Sequence, residues 1–170
     1  QYLSARDPRT KVPPQDLLPG QVRRAQPYIY SDAQILRLVQ ATARLEPRDG
    51  LRPRTYYTLF GLLAVTEMRV GEVIALKDPD VDLRQGLLTV RQSKFNKTRI
   101  LPVHPSTQAV LHAYTRARDK LVPVRATDRF FVSNCGTRLD PSVVRRAFLH
   151  ISRSIGLRTP ADRRGPRMHD

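Results

Sequence analysis

The segment TEMRVGEV at residues 66–73 contains an arginine whose charge needs a partner. It directly follows one apolar stretch and begins another, so we expect Arg69 to lie at a junction between two helices rather than on a solvated face. A guanidinium removed from water needs a compensating negative charge. Glu72, three residues further on, is within reach on a helix and offers an internal ion pair. A bound anionic ligand is the alternative, and the segment by itself favours the internal pair.

Two further segments carry groups suited to an anionic ligand. SKFNKTR at residues 93–99 places cations around a tight turn, although a solvated and charged hairpin tip is equally ordinary. GPRMHD at residues 165–170 places His169 in a segment with arginine and glycine, where a lone histidine is a weak signal. Neither segment alone defines a site.

Hydrophobic periodicity locates these segments on helices and on one hairpin. Apolar residues at helical spacing predict helices at about residues 31–46, 54–65, 70–76, 105–121 and 140–155. The first begins with a capping box, SDAQ, and the second is so apolar that it should be nearly buried. The period then changes to two, and residues 87–103 predict a β-hairpin with its turn at 94–97. FFV at residues 130–132 indicates a short strand.

The last predicted helix separates apolar residues from cations. Its inner stripe consists of Val144, Ala147, Phe148, Ile151 and Ile155. The same spacing leaves Arg145, Arg146 and Arg153 on the outside or on the flanks.

The composition indicates a polyanionic partner. The chain has 170 residues, with 30 Lys and Arg against 15 Asp and Glu, a net charge of +15 and a sequence pI near 11.1. This excess of positive charge is far more than solubility requires and favours nucleic acid. A generally basic surface, as on many RNA-binding proteins, is the alternative, and charge alone does not choose DNA over RNA.

Cysteine usage and hydropathy predict the compartment. The single Cys135 excludes an intramolecular disulfide and a cysteine-cluster zinc site, and it fits a reducing cytoplasm. The sequence shows neither a signal-peptide pattern nor an apolar stretch long enough to span a bilayer. We therefore expect a cytoplasmic protein that has no membrane partner.

The order of elements predicts a mostly helical α+β domain. Residues 1–27 lack periodicity and carry five prolines among scattered charges, so we interpret them as a linker arriving from an absent domain. Helices, one hairpin and further helices then follow through residue 170.

Taken in order and at their spacings, these segments resemble the tyrosine recombinases, the phage integrase family. The family has T-G-x-R-x-x-E after a buried helix, an aspartate-rich connection (here DVD at 80–82), and a K-x-x-K-x-R hairpin tip before a Leu-Pro-Val strand. A helix opened by P-S/T, an F-F-V-S strand and a helix leading into G-P-R-x-H-D complete the pattern. The resemblance covers about residues 28–170 and is specific because six segments recur in one order.

The resemblance implies a catalytic role for four residues. Arg69 corresponds to the first catalytic arginine, which grips the scissile phosphate, and Glu72 to the acidic residue that steadies it. Lys94 corresponds to the hairpin lysine that protonates the leaving 5′ hydroxyl. His169 corresponds to the histidine that hydrogen-bonds the phosphate or aids proton transfer. A pentacoordinate phosphorane carries extra negative charge, so converging cations and a proton donor suit it.

The resemblance also implies the fold, the reaction and the partners. We expect the recombinase catalytic fold, helices around a small antiparallel sheet, with a basic face against duplex DNA. The reaction proceeds through a 3′-phosphotyrosine and needs no metal, cofactor or small-molecule substrate, because the covalent intermediate stores the phosphodiester energy. The expected partners are double-stranded DNA, in association with the nucleoid, and other recombinase protomers. The expected DNA-binding residues are Lys97, Arg99, Arg145, Arg146 and Arg153.

The sequence departs from the family pattern at three places. Glu67 replaces the glycine before the arginine and competes with phosphate for Arg69 if it pairs with it, while Gly71 replaces a small residue such as serine. The sequence ends at Asp170, before the second arginine and the nucleophilic tyrosine, so we expect an incomplete catalytic domain that is inactive alone. The linker would then be the end of a missing N-terminal core-binding domain.

Two other functions remain open from the sequence. One is a non-catalytic DNA-binding remnant or a regulator of a full-length recombinase. The other is a basic RNA-binding module, although the sequence lacks a strand interleaved with aromatic residues on which bases stack. The tyrosines present lie in or near the linker or in apolar helices, where packing is the expected role.

Overall fold

The computed structural model describes residues 27–66, 68–93, 97–159 and 166–168, and of residues 92, 93 and 97 it describes the backbone alone. The helices in these ranges are α1 (Asp32–Ala41), α2 (Leu51–Val65), α3 (Val70–Ala75), α4 (Pro105–Leu121) and α5 (Pro141–Ser154). The strands are β1 (Val81–Asp82), β2 (Leu87–Ser93) and β3 (Lys97–Pro102). Short 3₁₀ turns occupy Thr42–Arg44 and Asp78–Asp80. The predicted mostly helical α+β fold is confirmed, while nearly all of the predicted linker lies outside the described residues.

The helix starts follow from local chemistry. In the predicted capping box before α1, the Ser31 hydroxyl accepts from the Gln34 N–H at 3.3 Å and the Gln34 side chain accepts from the Ser31 N–H at 3.0 Å. Helix α2 begins at Leu51, three residues earlier than predicted. Pro53 does not prevent this start, because the N–H groups of a first helical turn have no partner within the helix.

The sheet is antiparallel with strand order β1-β2-β3. Strands β2 and β3 form the predicted hairpin, in which Val90 pairs with Arg99 and Ser93 pairs with Lys97. Strand β1 was not predicted, because a two-residue strand is too short to show a period. Residues 130–132, predicted as a strand, form one isolated bridge, between Val132 and Arg138, and a second bridge joins the preceding Arg129 to Lys77. This buried segment therefore meets its neighbours at single residues and not along a ladder.

The core lies around α2, which packs against α1, α3 and α4. Its apolar residues cover most of its circumference, as expected for a central helix, and Leu59 and Leu62 are almost completely buried. Phe60 meets Phe148 of α5 edge to face, with ring centroids 6.0 Å apart. Each such aromatic side chain stabilises the fold by about 2 kcal/mol through burial. Helix α2 therefore fixes the position of the polypeptide that leaves its C-terminus, where Arg69 is found.

A buried arginine holds the loop that follows α4 against the segment after α3. The Arg118 side chain, in a residue only 3% exposed, donates to Asp78 at 2.6 Å and to the Phe130 carbonyl at 2.9 Å. Arg125 also donates to Asp78, at 2.7 Å. The Phe130 N–H donates to the Leu76 carbonyl at 2.8 Å. Because these bonds fasten the chain just beyond α3, this short helix is held at its C-terminal end as well as at its start.

Candidate functional site

Arg69 occupies the junction between α2 and α3 but is exposed to solvent. It is the N-cap residue of α3, with an extended backbone of φ −78° and ψ 151°. Its neighbours Met68 and Val70 are 5% and 3% exposed. Because side chains alternate along an extended backbone, the Arg69 side chain points outward and is 61% exposed. The predicted junction is therefore correct, whereas the expectation that this arginine avoids a solvated face is wrong.

The carboxylate of Glu72 lies at the centre of the site. Its side chain is only 10% exposed and accepts hydrogen bonds at both oxygens. Oε2 accepts from the Arg69 backbone N–H at 2.9 Å and from Nη2 of Arg99 at 2.8 Å. Oε1 accepts from Nη1 of Arg69 at 3.3 Å and from Nη1 of Arg99 at 3.2 Å. A carboxylate has about four lone-pair positions, so these bonds occupy its accepting capacity.

Electrostatics keep this carboxylate ionised. The side-chain hydrogen bond from Arg99 is the largest cause of a lowered Glu72 pKa, and burial opposes it. The Arg69 backbone N–H and the charges of both arginines lower the pKa further. Among the residues that the structure describes here, two guanidinium groups face one carboxylate, which leaves an excess of one positive charge. The site is therefore electrostatically suited to an additional anion.

The internal ion pair favoured by the sequence is present, but it leaves most of Arg69 accessible. A single side-chain contact of 3.3 Å joins Arg69 to Glu72, near the upper limit for a hydrogen bond. A guanidinium has five N–H donors in a planar fork that matches two phosphate oxygens. With its side chain 61% exposed, Arg69 can bind an anion while it keeps its contact with Glu72.

Several predicted residues lie outside the described part of the chain. These are Lys94 at the hairpin tip, His169 and Glu67. Lys97 begins β3, although only its backbone is described. The carbonyl of Arg167, two residues before His169, accepts from the Tyr30 hydroxyl at 2.9 Å. This contact ties the chain near His169 to the segment that precedes α1.

Helix α5 presents the predicted cations to solvent. Val144, Ala147, Phe148 and Ile151 are buried, whereas Arg145, Arg146 and Arg153 are exposed. Asp140 caps the helix by accepting from the Ser142 N–H at 2.7 Å. Within the described ranges, none of these three arginine side chains forms a hydrogen bond or an ion pair. Their charges are therefore available to an external polyanion.

The Arg99 side chain contacts Glu72 within the protein, whereas its charge had suggested an exposed DNA-binding residue. In β3 it shares a face with Leu101, and its side chain is 34% exposed. The signal was present in the sequence: the alternation Arg99, Leu101, Val103 places this arginine on the apolar face of its strand. From its charge, Arg99 was expected to bind DNA like the other cations of the hairpin, and its pairing with Glu72 was not predicted.

In the ranges that the structure describes, no group of three or more His, Cys, Asp or Glu residues is arranged to hold a metal ion. None of the helices seen there is both long and apolar enough to cross a bilayer.

Comparison with known proteins establishes the family. The profile of the phage integrase family matches residues 30–169. An integrase/recombinase of Sinorhizobium fredii named y4rB is 46% identical over 173 residues, covering 99% of this chain and 55% of that protein. The crystal structure of XerA recombinase matches with a TM-score of 0.68 and 27% identity, covering 85% of this chain and 47% of that chain. The chain thus belongs to the phage integrase family, as its motifs predicted.

A further structure agrees with this fold. The XerH site-specific recombinase, bound to its palindromic difH substrate in a post-cleavage complex, matches with a TM-score of 0.64 and 21% identity. The match covers 84% of this chain and 39% of that chain. The chain thus spans about half the length of the relatives it matches.

Replacing Glu72 by Gln should make the stability of the domain less dependent on acid pH. Because the folded-state pKa of Glu72 lies below its ordinary value of 4.5, the carboxylate stabilises the fold above that pH and this contribution is lost as the pH falls through the folded pKa. We expect Glu72→Gln to lower the free energy of unfolding by about 1–2 kcal/mol at neutral pH. Urea denaturation should show the difference from wild type narrowing below about pH 4.5.

Glu46 supplies the matched control. It pairs with Arg48 at 3.0 Å, but the two side chains are 69% and 71% exposed. Exposed pairs contribute little, so Glu46→Gln should change the free energy of unfolding by less than about 0.5 kcal/mol at each pH. A Glu72→Gln effect that stays constant across the acid range would contradict the electrostatic account of the site.

Proposed function

We propose that this domain binds duplex DNA and serves a site-specific recombinase that cleaves and rejoins DNA strands through a 3′-phosphotyrosine. The observation that carries the proposal is the exposed Arg69 guanidinium, held beside the buried Glu72 carboxylate in a fold of the phage integrase family. An arginine fork with accessible N–H groups can bind two oxygens of one phosphate. Arg69 is proposed to hold the scissile phosphate in this way.

The roles of the remaining catalytic residues are proposed from the family motifs. Lys94 would protonate the departing 5′ oxygen, and His169 would hydrogen-bond the phosphate or aid proton transfer. Glu72 would keep the Arg69 backbone in its helix-capping geometry, which its bond to the Arg69 N–H supports. The covalent phosphotyrosine stores the energy of the broken phosphodiester bond, so this route requires no high-energy cofactor. The proposed cations would stabilise the charge of the phosphorane in place of a metal.

The proposed DNA surface includes the outer face of α5. Arg146 and Arg153 are seven residues apart, so two helical turns place them on one side, with Arg145 at its flank. The net charge of +15 supports a polyanionic partner. Lys97 of the hairpin belongs to the same proposed set, whereas Arg99, which the sequence also suggested, has its guanidinium on the Glu72 carboxylate. The structurally similar XerH recombinase is bound to its difH substrate. By analogy, the proposed partners of this domain are duplex DNA and further recombinase protomers. The proposed location is the nucleoid in the cytoplasm.

Binding to duplex DNA should depend strongly on salt. If about six phosphates are neutralised, the logarithm of the binding constant should fall with the logarithm of salt concentration with a slope near −5. Replacing Arg145, Arg146 and Arg153 by Ala should make the slope shallower by about 3, because three phosphate contacts are lost. Fluorescence anisotropy with a labelled duplex at several salt concentrations measures both slopes.

A charge-matched variant separates a binding face from simple net charge. Arg84, Arg116 and Lys120 are exposed residues outside α5, and replacing them by Ala removes the same number of charges. This control should alter the slope by less than about 1. Equal effects of the two triple variants would argue against the α5 surface. Tighter binding to single-stranded RNA than to duplex DNA would overturn the choice of nucleic acid.

Replacing Arg69 or Lys94 should slow strand cleavage for different reasons in a recombinase that carries this domain. Arg69→Lys loses the two-pronged contact with phosphate and should slow strand cleavage by roughly a hundredfold or more. Lys94→Ala removes a proton donor and should also slow cleavage by roughly a hundredfold or more. Cleavage is measured as a covalent protein–DNA band in denaturing electrophoresis, with a nicked duplex that contains the recombination site.

A sulfur-substituted substrate provides the discriminating control. When sulfur replaces the bridging 5′ oxygen, the thiolate leaves without protonation. This substrate should restore cleavage by Lys94→Ala and leave Arg69→Lys slow. Equal restoration of both variants would show that Lys94 is not the general acid.

A further inference from the structure

We propose that Arg99 is a positioning residue that occupies the Glu72 carboxylate and thereby keeps the Arg69 guanidinium available for phosphate. The inference rests on the proposed phosphate-binding role of Arg69, and it gives a hairpin arginine a function other than direct DNA contact.

The contacts of Glu72 show which arginine holds it more strongly. Arg99 donates through two nitrogens to the two carboxylate oxygens, at 2.8 and 3.2 Å. The Arg69 side chain donates through one nitrogen, at 3.3 Å. Parallel two-pronged bonds are the strongest arrangement between arginine and a carboxylate. Arg99 is therefore the main side-chain partner of Glu72, and Arg69 is the weaker one.

The position of Arg99 in the sheet favours this internal role. It pairs across the hairpin with Val90, a residue 1% exposed, and its own side chain is 34% exposed. Arg69 is 61% exposed, nearly twice as much. Arg99 lies on the strand face that carries Leu101, and its guanidinium ends on the buried carboxylate. Its fork is engaged within the protein, whereas the fork of Arg69 is open to solvent.

Removing Arg99 would change the charge that a phosphate encounters. Of the described residues, the site holds two guanidinium groups and one carboxylate, and loss of Arg99 leaves one of each. The freed lone pairs of Glu72 would then lie next to Arg69, already 3.3 Å away. In a partly buried setting the attraction between such charges is several-fold stronger than in water. Glu72 would thus compete with phosphate for Arg69.

This competition predicts a rescue that direct contact between Arg99 and DNA does not predict. Arg99→Ala should weaken cleavage roughly tenfold, because Glu72 captures Arg69. Adding Glu72→Gln should return activity to the level of Glu72→Gln alone, because the amide has no charge yet still accepts the Arg69 backbone N–H. If Arg99 instead contacts DNA, the double variant loses an additional interaction and is less active than Arg99→Ala.

Arg91 is the matched control for a purely structural role. It lies on β2 of the same sheet and donates to the buried carboxylate of Asp80, whereas Arg99 donates to Glu72. Arg91→Ala should destabilise the domain to a similar extent as Arg99→Ala without a roughly tenfold loss of cleavage at temperatures where both variants are folded. An equal loss of activity in the two variants would overturn the positioning role.

A DNA-free measurement separates this inference from the proposed function. In the 170-residue chain, nuclear magnetic resonance of the Arg69 guanidinium reports its rotation about the Nε–Cζ bond, which slows in a two-pronged ion pair. Arg99→Ala should slow this rotation, Arg99→Ala with Glu72→Gln should restore it, and Arg91→Ala should leave it unchanged. An Arg69 signal that is insensitive to Arg99 would overturn the inference even if DNA cleavage is demonstrated. If the Arg69 rotation changes as expected but the domain neither binds nor helps to cleave DNA, the positioning role of Arg99 stands and only the proposed function is refuted.

Discussion

The carboxylate of Glu72 connects the start of α3 to β3 through hydrogen bonds from Arg69 and Arg99. A buried carboxylate without partners would be strongly destabilising, so the fold must bring both donors to it. The same requirement fixes the backbone of Arg69 as a helix cap and directs its side chain outward. The stability of this junction and the exposure of the Arg69 guanidinium thus have one physical cause, and the proposed chemistry depends on it.

The rest of the fold keeps the two sides of this contact in place. Helix α2 packs among α1, α3 and α4, so the chain that leaves it at Val65 has a fixed direction. Beyond α3, Arg118 joins Asp78 to the Phe130 carbonyl and secures the other end of the short helix. A helix of six residues has little stability of its own, and these tertiary contacts supply it.

The sequence predicted the elements with strong local signals and missed those that depend on single distant contacts. The structure confirms the capping box at Ser31, helix α4 at Pro105–Leu121 and the hairpin. Each could be predicted because the sequence shows a clear hydrophobic period or capping residues there. Family membership, predicted from the motifs, is confirmed by the match to the family profile and by the similar proteins. The exposure of Arg69 and the pairing of Arg99 with Glu72 were missed, because a charge pattern alone does not tell which cation faces the protein interior. The alternation of Arg99 with Leu101 and Val103 along β3 was the sequence feature that placed Arg99 on the apolar face. The catalytic roles of Lys94 and His169 stay predictions.

Glu72 of α3 and Arg99 of β3 form a coupled pair on which this site depends, and a double-mutant cycle measures that coupling. The free energies of unfolding of wild type, Glu72→Ala, Arg99→Ala and the double variant would be determined by urea denaturation at neutral pH. A two-pronged, partly buried contact predicts a coupling energy of about 1–2 kcal/mol. A coupling energy near zero would contradict the account, because it would mean that the two side chains contribute independently to stability.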